Sequence, residues 1–364
     1  MANFTRRDFL QLTGSSLFAS LSAGLSKNSM AQPSKKVGVA LVGLGYYSTS
    51  VLAPALELTQ HCELKGIVTG SPDKIPQWQT RYGIPDSNVY SYENMHKVAN
   101  NPDIDVIYVV VPTALHLKYC EVAANAGKHV WCEKPMAMTA AQCQQIINVC
   151  NKNKVKLTVG YRMQHEPNTR TFMDYKHTQP YGKIQHIISQ AGYAGNGMSA
   201  DNWRMKKAMG GGAMYDMGVY PLNGARFISG KEPIAITARH DKSHAHIFKN
   251  VDETTYFSLE FPEGFTAECA TSVVKSFNQL KVTGEKGWYQ LSPMQSYSGV
   301  TGLTNDGKRF PPIKEMQQAI QMDNDALAIS RNGPILVSGE EGMRDIRIVE
   351  AAFASAATGK RVRL

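Results

Sequence analysis

The sequence of 364 residues lacks the patterns that mark several classes of protein. Its six cysteines form no C-x-x-C pair, and no cluster of histidine and cysteine has metal-ligand spacing. Beyond the N-terminal segment, no stretch approaches the ~18 apolar residues of a membrane helix. No basic run with interleaved aromatic residues indicates nucleic-acid binding. We therefore expect a globular protein with no metal site, no nucleic-acid partner and no membrane span in the mature chain.

The N-terminus predicts export. Residues 5–10 (TRRDFL) form a twin-arginine pattern, and residues 12–25 form a mildly apolar run that is too short to span a bilayer. The residues at 29–31 (SMA) offer a small-residue cleavage site. Residues 1–31 are thus interpreted as a twin-arginine signal peptide, which carries folded proteins to the periplasm. Export in the folded state suits a protein whose cofactor is loaded in the cytoplasm.

Residues 32–364 are long enough for two domains. The formal net charge falls from +9 to +7 without the leader, and the remaining excess is spread along the chain, which indicates a generally basic surface. The cysteines lie in apolar contexts, where a thiol behaves as a small hydrophobic group. Folding in a reducing compartment before export argues against disulfides.

Strands and helices alternate over residues 32–160, which we assign to a first domain. The predicted strands are 37–42, 63–68, 105–111, 128–132 and 156–160, and the predicted helices are 49–59, 72–82, 115–126 and 139–153. Continuous apolar strands separated by helices are typical of a parallel sheet in an α/β fold.

The turn after the first strand has the position of a dinucleotide fingerprint. Gly43 permits a tight turn, Gly45 lets a pyrophosphate approach the backbone, and the small Ser48 stands where a third glycine is usual. In this βαβ context the motif predicts a Rossmann dinucleotide-binding domain.

The end of the second strand favours NADP over NAD. An NAD site usually has an acidic residue there for the ribose diol, whereas this chain offers Thr69, Ser71, Lys74 and, further on, Arg81. Hydroxyls and a cation suit a 2′-phosphate. Asp73 argues for NAD, but it falls late, inside the following helix. NADP is the expected cofactor, with NAD as the alternative.

The pattern changes in residues 161–364, the second predicted domain. Period-2 alternation over 184–189, 255–261, 265–271 and 280–283 predicts antiparallel strands of an open sheet with few helices. Residues 340–357 predict a packing helix. The fold class is therefore α/β followed by α+β, a Rossmann domain with a mainly antiparallel open sheet.

Two stretches contain candidate catalytic groups. Lys134 follows an apolar run at the carboxyl end of a predicted parallel strand, where α/β sheets bind their ligands. Three glycines at 210–212 precede a predicted helix in which Asp216 and Tyr220 are spaced i, i+4, which places both on one face.

These motifs together resemble the Gfo/Idh/MocA family (glucose–fructose oxidoreductase/inositol dehydrogenase-like). The motifs are Gly43-Leu44-Gly45, Pro112-Thr113-x-x-His116, Ala126-Gly127-Lys128-His129-Val130, Glu133-Lys134-Pro135, Gly160-Tyr161-Arg162, and Gly210-Gly211-Gly212 with Asp216-x-Gly218-x-Tyr220. Tyr220 stands where many members have histidine. This tyrosine resembles the glucose–fructose oxidoreductase branch, which is exported by the twin-arginine route.

The resemblance implies roles for individual residues. Lys134 would contact the substrate oxygen and the nicotinamide ribose, Tyr220 would be the acid/base, and Asp216 would orient it. A phenol ionises near pH ~10 in water, so a nearby ammonium would be needed for this role near neutral pH. Arg162, Trp203 and Arg204 would contact a sugar. Lys134, Asp216 and Tyr220 would contact the same sugar. The cofactor would be bound by Gly43, Leu44, Gly45, Tyr46, Tyr47, Thr69, Ser71, Lys74, Tyr92, Pro112, Leu115, His116, Glu133, Lys134 and Arg162.

The resulting hypothesis is an NADP-dependent oxidoreductase acting on a sugar, either an aldose or a related polyol, with a tightly bound cofactor recycled by a second sugar. The resemblance also implies a homodimer or homotetramer through the second sheet. One alternative is an NAD-dependent glycoside hydrolase on the same fold, with His165 or Tyr193 as further acid/base groups. Another is a sensor that binds a sugar or dinucleotide without turnover, which the presence of Lys134, Asp216 and Tyr220 disfavours.

Overall fold

The first half of the chain forms a six-stranded parallel sheet flanked by helices in the computed structural model, which describes residues 35–195 and 199–364. The spatial strand order is β3-β2-β1-β4-β5-β6, the order of a dinucleotide-binding fold. The elements are β1 (Val37–Val42), α1 (Ala53–Leu56), β2 (Cys62–Val68), α2 (Ile75–Tyr82), β3 (Val89–Tyr90), β4 (Val106–Val109), α3 (His116–Asn125), β5 (His129–Cys132), α4 (Ala140–Lys152) and β6 (Leu157–Val159). The predicted Rossmann fold is confirmed, and the predicted signal peptide lies outside the described residues.

The apolar runs explain the sheet, because all residues of β1 and β4 are buried under helices. Several boundaries differ from the predicted ones by one to four residues, and β3 was not predicted. The strand predicted at 105–111 ends at Val109, since Val110 and Val111 leave the sheet to line a cavity. The helix predicted at 49–59 begins with a π-helical turn at Ser48–Leu52 and continues as α1.

The second half forms a nine-stranded sheet in the order β14-β13-β12-β11-β7-β10-β9-β8-β15. Its pairs are antiparallel except β7 with β10, so the predicted mainly antiparallel sheet is confirmed. The elements are α5 (Pro167–Thr178), β7 (Ile184–Gly192), α6 (Val219–Ser229), β8 (Ala235–Asp241), β9 (Thr254–Glu260), β10 (Thr266–Ser272), β11 (Phe277–Gly284), β12 (Gly287–Leu291), β13 (Gly302–Thr304), β14 (Arg309–Phe310), α7 (Gln317–Ser330), α8 (Gly339–Thr358) and β15 (Val362–Arg363).

This half contains more helix than the sequence predicted, since α5 and α7 were not expected. In α5, Phe172 is the one large hydrophobic side chain that is fully buried, so the helix lacks a clear apolar stripe. Among the described residues, no helix is long and apolar enough to cross a membrane, and no group of three or more histidine, cysteine, aspartate or glutamate side chains is placed to hold a metal ion. The six cysteines are buried free thiols.

Helix α7 belongs to the second half of the sequence but packs against the first sheet. Ala319, Met322 and Ala326 join the apolar cluster that includes residues of β1 and β4. The Asp323 carboxylate accepts hydrogen bonds from the main-chain N–H groups that precede β2. The helix thereby fixes the second half of the chain onto the rear of the dinucleotide-binding sheet.

A buried carboxyl group in this contact gives stability a specific pH dependence. The Asp325 carboxyl accepts a hydrogen bond from Thr158 Oγ1 of β6 at 3.2 Å, and burial raises its pKa to about 7. Between about pH 4 and pH 7 the folded state holds a proton that the unfolded state has lost, so this group's stabilising contribution is lost as pH rises through that range.

The variant Asp325→Asn should remove this dependence, because an amide remains neutral at every pH. The variant's free energy of unfolding minus that of the parent should rise by up to about 4 kcal/mol from about pH 4 to about pH 8, since one pKa unit corresponds to about 1.4 kcal/mol. Urea unfolding at both pH values measures the difference. If the difference in free energy of unfolding between variant and parent is the same at both pH values, the folded protein does not keep Asp325 protonated above pH 4.

Candidate active site

A cavity of about 1090 Å³ opens at the carboxyl ends of the parallel strands, where residues from both sheets meet. The residues that the family resemblance implies for catalysis, sugar binding and cofactor binding converge there with one exception. Leu115 does not line the cavity and packs, half-buried, against the larger apolar core. The lining contains Gly43, Leu44, Gly45, Tyr46, Tyr47, Thr69, Ser71, Lys74, Tyr92, Pro112, His116, Glu133, Lys134, Arg162, Trp203, Arg204, Asp216 and Tyr220.

The turn after β1 has the geometry of a phosphate cradle. Gly43 has φ +91°, and a Cβ there would lie 2.5 Å from the carbonyl oxygen of Val110. Only glycine therefore fits this position. A Cβ on Gly45 would meet nothing within 4 Å, so the space above it is open to a ligand. Ser48 Oγ donates to the Gly43 carbonyl at 2.5 Å, which ties the start of the helical segment to the turn.

The end of β2 supplies a cation to the same cavity. Lys74 Nζ donates to the main-chain oxygen of Leu44 at 2.9 Å, so its charge lies beside the glycine turn. Thr69 Oγ1 accepts from the Ser71 N–H at 3.0 Å. Arg81 lies outside the cavity lining and pairs with Glu57 at 3.7 Å on the surface. Of the two cations predicted near a 2′-phosphate, only Lys74 lines the cavity.

Glu133 lies behind the predicted catalytic lysine and is almost fully buried. Its Oε1 accepts a hydrogen bond from the Tyr108 hydroxyl at 2.5 Å, and its Oε2 accepts from the Lys134 N–H at 3.2 Å. Burial raises the pKa of Glu133, while the hydrogen bond from Tyr108 and the charge of Lys134 oppose that effect. These two hydrogen bonds fix the side chain at the end of β5.

His116 connects two loops at the cavity wall. Its ring nitrogens lie 2.9 Å from the Pro135 oxygen and 2.8 Å from the Val111 oxygen. The ring is buried, so it is a wall of the predicted nicotinamide pocket and holds the Lys134–Pro135 turn against the loop after β4.

The second wall comes from the glycine-rich segment before α6. Gly212 has φ +106°, and a Cβ there would lie 2.1 Å from Asp252 Oδ1. Asp252 Oδ2 accepts from the Met214 N–H at 2.7 Å. A π-helical turn, Met214–Gly218, then leads into α6. The predicted helical face is present, and both Asp216 and Tyr220 line the cavity.

Lys134 and Tyr220 meet across the cavity. Lys134 Nζ lies 4.5 Å from the centroid of the Tyr220 ring and donates to the main-chain oxygen of Asp216 at 2.9 Å. An ammonium at this distance is attracted to the electron-rich face of the ring. The predicted acid/base pair is therefore brought together from the two halves of the chain.

The Asp216 carboxylate has different partners from the one implied by the resemblance. Its Oδ2 accepts from the Tyr193 hydroxyl at 2.8 Å, and its Oδ1 lies 3.2 Å from Arg204 Nε. Burial and the Asp216 charge raise the pKa of Tyr193, which keeps this phenol protonated as a donor. The main-chain oxygen of Asp216 contacts Lys134. The carboxylate of Asp216 contacts Tyr193 and Arg204 and orients these two side chains. Arg204 in turn stacks over Trp203 at 4.6 Å.

Arg162 is 1% exposed and lies between two tyrosines. Its guanidinium carbon is 5.3 Å from the Tyr220 ring centroid and 5.0 Å from that of Tyr297. Nη1 donates to Gln317 Oε1 and Nη2 to Gln295 Oε1, each at 3.1 Å. Arg162 thus brings a second fixed cation to the Tyr220 ring.

Several lining residues were not predicted. The segment Gln295, Ser296 and Tyr297 lies in a loop whose sequence has no glycine-rich or charged motif. Tyr193 was predicted only for the hydrolase alternative and does line the cavity. His165, its counterpart in that alternative, lies outside the lining, and burial lowers its pKa to about 3. His165 is therefore a neutral structural residue, bonded to Asn324.

The residues present fit a nicotinamide dinucleotide. The open space over Gly45, the N–H groups of the turn and Lys74 provide a site for phosphate groups. Glu133, Lys134 and His116 line the same cavity. The cavity is large enough to hold a dinucleotide and a small substrate together.

Comparison with known proteins agrees with this geometry. The oxidoreductase family with an NAD-binding Rossmann fold (GFO_IDH_MocA) matches residues 37–161, and the GFO/IDH/MocA C-terminal domain matches residues 177–290. Aldose-aldose oxidoreductase from Caulobacter crescentus, solved in complex with glycerol, is 34% identical with a TM-score of 0.87, over 91% of this chain and 100% of that chain.

Two curated proteins match over most of their lengths. D-xylose 1-dehydrogenase [NADP(+)] of Haloarcula marismortui is 26% identical, over 90% of this chain and 93% of its own. Inositol 2-dehydrogenase of Rhizobium meliloti is 26% identical, over 71% of this chain and 81% of its own. With the Rossmann turn, the second sheet and the shared cavity, these matches show that the chain belongs to the GFO/IDH/MocA family of NAD(P)-dependent oxidoreductases.

Proposed function

We propose that the chain is an NADP-dependent oxidoreductase that oxidises an aldose or related polyol and reduces a second sugar without releasing its cofactor. The observation that carries the proposal is the Lys134–Tyr220 pair, which lies in the same cavity as the glycine turn. The names of the relatives support the substrate class, since they act on aldoses, xylose and inositol.

Each polar side chain then has a task. Tyr220 takes the proton of the sugar hydroxyl, while Lys134 stabilises the phenolate and is itself held by the Asp216 main chain. Arg162 adds a second cation beside the ring. Bound nicotinamide would supply the acceptor and donor of hydride at C4. Arg204, fixed by the Asp216 carboxylate, presents further donors toward sugar hydroxyls.

Recycling by a second sugar follows from the proposed export. The twin-arginine pattern at residues 5–10 suits a protein that leaves the cytoplasm with its cofactor bound, and the periplasm contains little free NADP. Reduction of a second sugar by the same Tyr220 and Lys134, acting in reverse, would restore the starting state. We also propose that the chain forms a homodimer or homotetramer through the open face of the second sheet, which light scattering of the purified protein tests.

Analysis of the purified protein tests the proposal directly. Denaturation should release NADP(H), and the native protein should convert pairs of sugars with no cofactor added. If the protein is isolated empty and only added cofactor sustains turnover, it is a simple dehydrogenase. If a panel of sugars is bound without any conversion, the oxidoreductase proposal fails.

The choice of NADP over NAD depends on Lys74 in this account. Lys74→Ala should raise the Kd for NADP about tenfold or more, since a charge-assisted contact with a phosphate contributes roughly 1.5–3 kcal/mol. The Kd for NAD should change much less, because NAD has no 2′-phosphate. Arg81→Ala is the matched control, since Arg81 lies outside the cavity lining. Equal weakening of both cofactors by Lys74→Ala would mean that Lys74 only supports the Leu44 turn.

A further inference from the structure

Two aromatic side chains at the cavity are unusually exposed. Tyr46 is 73% and Tyr297 is 42% exposed, and both line the cavity. Other tyrosines in the lining, such as Tyr215 and Tyr220, are buried. Exposed apolar surface that faces a cavity is typical of a ligand contact, because binding would remove it from water.

The loop that holds Tyr297 is anchored firmly to the second sheet. Asn278 of β11 accepts hydrogen bonds from the N–H groups of Met294 and Gln295, each at 2.9 Å. Its Nδ2 also donates to the Gln295 main-chain oxygen at 2.9 Å. Three hydrogen bonds with one side chain therefore fix the loop at Met294 and Gln295, close to Tyr297 in sequence.

The Tyr297 ring bridges the two halves of the protein at the cavity. Its centroid lies 5.8 Å from that of Tyr47, which stands one residue beyond Tyr46 after the Gly43-Leu44-Gly45 turn. Its other close neighbour is the Arg162 guanidinium at 5.0 Å, which Gln295 of the same loop also binds. A dinucleotide bound at the glycine turn therefore has the Tyr297 ring as part of its enclosure.

We infer that the contact between the Tyr297 and Tyr47 rings slows release of the nicotinamide cofactor, because it holds the loop of the second sheet against the segment after the glycine turn. This ring contact is called the clasp below. The inference rests on the proposed function, since it explains how one bound cofactor could serve two sugars in turn. The contacts that carry it involve the ring, so the ring and not the hydroxyl should matter. The clasp and the sugar-conversion proposal are tested separately, because cofactor release requires no sugar.

The test is the rate at which cofactor leaves the full-length protein. The protein is loaded with NADPH, or in a parallel series with NADH, and dissociation is followed by loss of nucleotide fluorescence after a chase with excess oxidised cofactor. Tyr297→Ala should speed release by about threefold to tenfold, because it removes the contact between the Tyr297 and Tyr47 rings. Tyr297→Phe keeps the ring and should stay within about twofold of the parent.

The control is Leu336→Ala, which removes an exposed apolar side chain outside the cavity lining and should leave release unchanged. Release from Tyr297→Ala at the parental rate would overturn the inference. So would equal acceleration by the phenylalanine variant, or by the control. If Tyr297→Ala raises the KM of a sugar while cofactor release is unchanged, Tyr297 is a sugar contact and the clasp is wrong.

Discussion

Lys134→Met should abolish most sugar turnover while leaving the cofactor bound. Methionine retains much of the apolar stem but removes the ammonium that lies 4.5 Å from the Tyr220 ring. Without the ammonium, no lysine charge offsets the negative charge that the proposed proton transfer places on Tyr220, and kcat should fall by about a hundredfold to ten-thousandfold. Steady-state kinetics with saturating sugar gives kcat, and denaturation of the same sample gives the amount of bound nucleotide.

The control for this experiment is Lys207→Met. Lys207 is exposed in the segment that leads to the glycine run and lies outside the cavity lining. The Lys207→Met protein should retain parental kcat and parental cofactor content. The Lys134 variant also loses a hydrogen bond to the Asp216 main chain, which contributes about 1 kcal/mol to stability, so its Tm is measured as well. Near-parental turnover by a folded, loaded Lys134→Met protein would show that the lysine has no part in the chemistry.

Tyr220→Phe should reduce kcat by a similar factor for a different reason. The phenylalanine ring keeps its place between Lys134 and Arg162, but it has no oxygen to accept or return a proton. The KM of the sugar should change much less than kcat, because the remaining sugar contacts stay in place. The double variant Lys134→Met/Tyr220→Phe should be little slower than either single variant, since groups that act as one unit are not additive.

Tyr181→Phe is the matched control for the loss of a hydroxyl. The Tyr181 hydroxyl donates to Asp306 at 3.1 Å, and this residue lies outside the cavity lining. Parental turnover is expected for it. If the Tyr220→Phe protein turns over at more than about a tenth of the parental rate, another group is the acid/base. In that case Tyr193, which is bonded to Asp216, is the next residue to test.

The elements that the sequence predicted best are those with a strong local signal. Continuous apolar runs identified five of the six parallel strands to within two residues at either end, and the two-residue strand β3 was not predicted. The two glycine-rich segments placed tight turns beside the ligand cavity, because few other residues tolerate the φ angles found at Gly43 and Gly212. The convergence of Lys134 with Asp216 and Tyr220 followed from the family resemblance and not from any local pattern.

The features that the sequence did not predict depend on long-range packing. Helix α7 packs on the first sheet, yet its buried face includes Gln317, Gln318 and Gln321, and amides are normally expected at the surface. Gln317 is buried because it holds Arg162 at the cavity wall. Tyr297 was missed because an isolated aromatic residue in a loop has no signature until the loop is placed beside Tyr47.

The implied role of Asp216 shows a further limit of sequence comparison. A spacing of four residues places Asp216 and Tyr220 on one helical face, but the turn between them is π-helical and the carboxylate is bonded to Tyr193 and Arg204. The backbone geometry of such a turn could not be derived from residue types alone. The carboxylate therefore holds Tyr193 and Arg204, and the main chain of the same residue holds Lys134.

The central claim is that one bound cofactor accepts hydride from a sugar and passes it to a second sugar beside Lys134 and Tyr220. The most direct test is a single incubation of the purified, loaded protein with an aldose that carries deuterium at the carbon to be oxidised, and with an unlabelled second sugar. The account predicts that deuterium first appears at C4 of the bound nicotinamide and then in the reduced second sugar. Consumption of the labelled aldose with no deuterium in either the nicotinamide or the second sugar would contradict it.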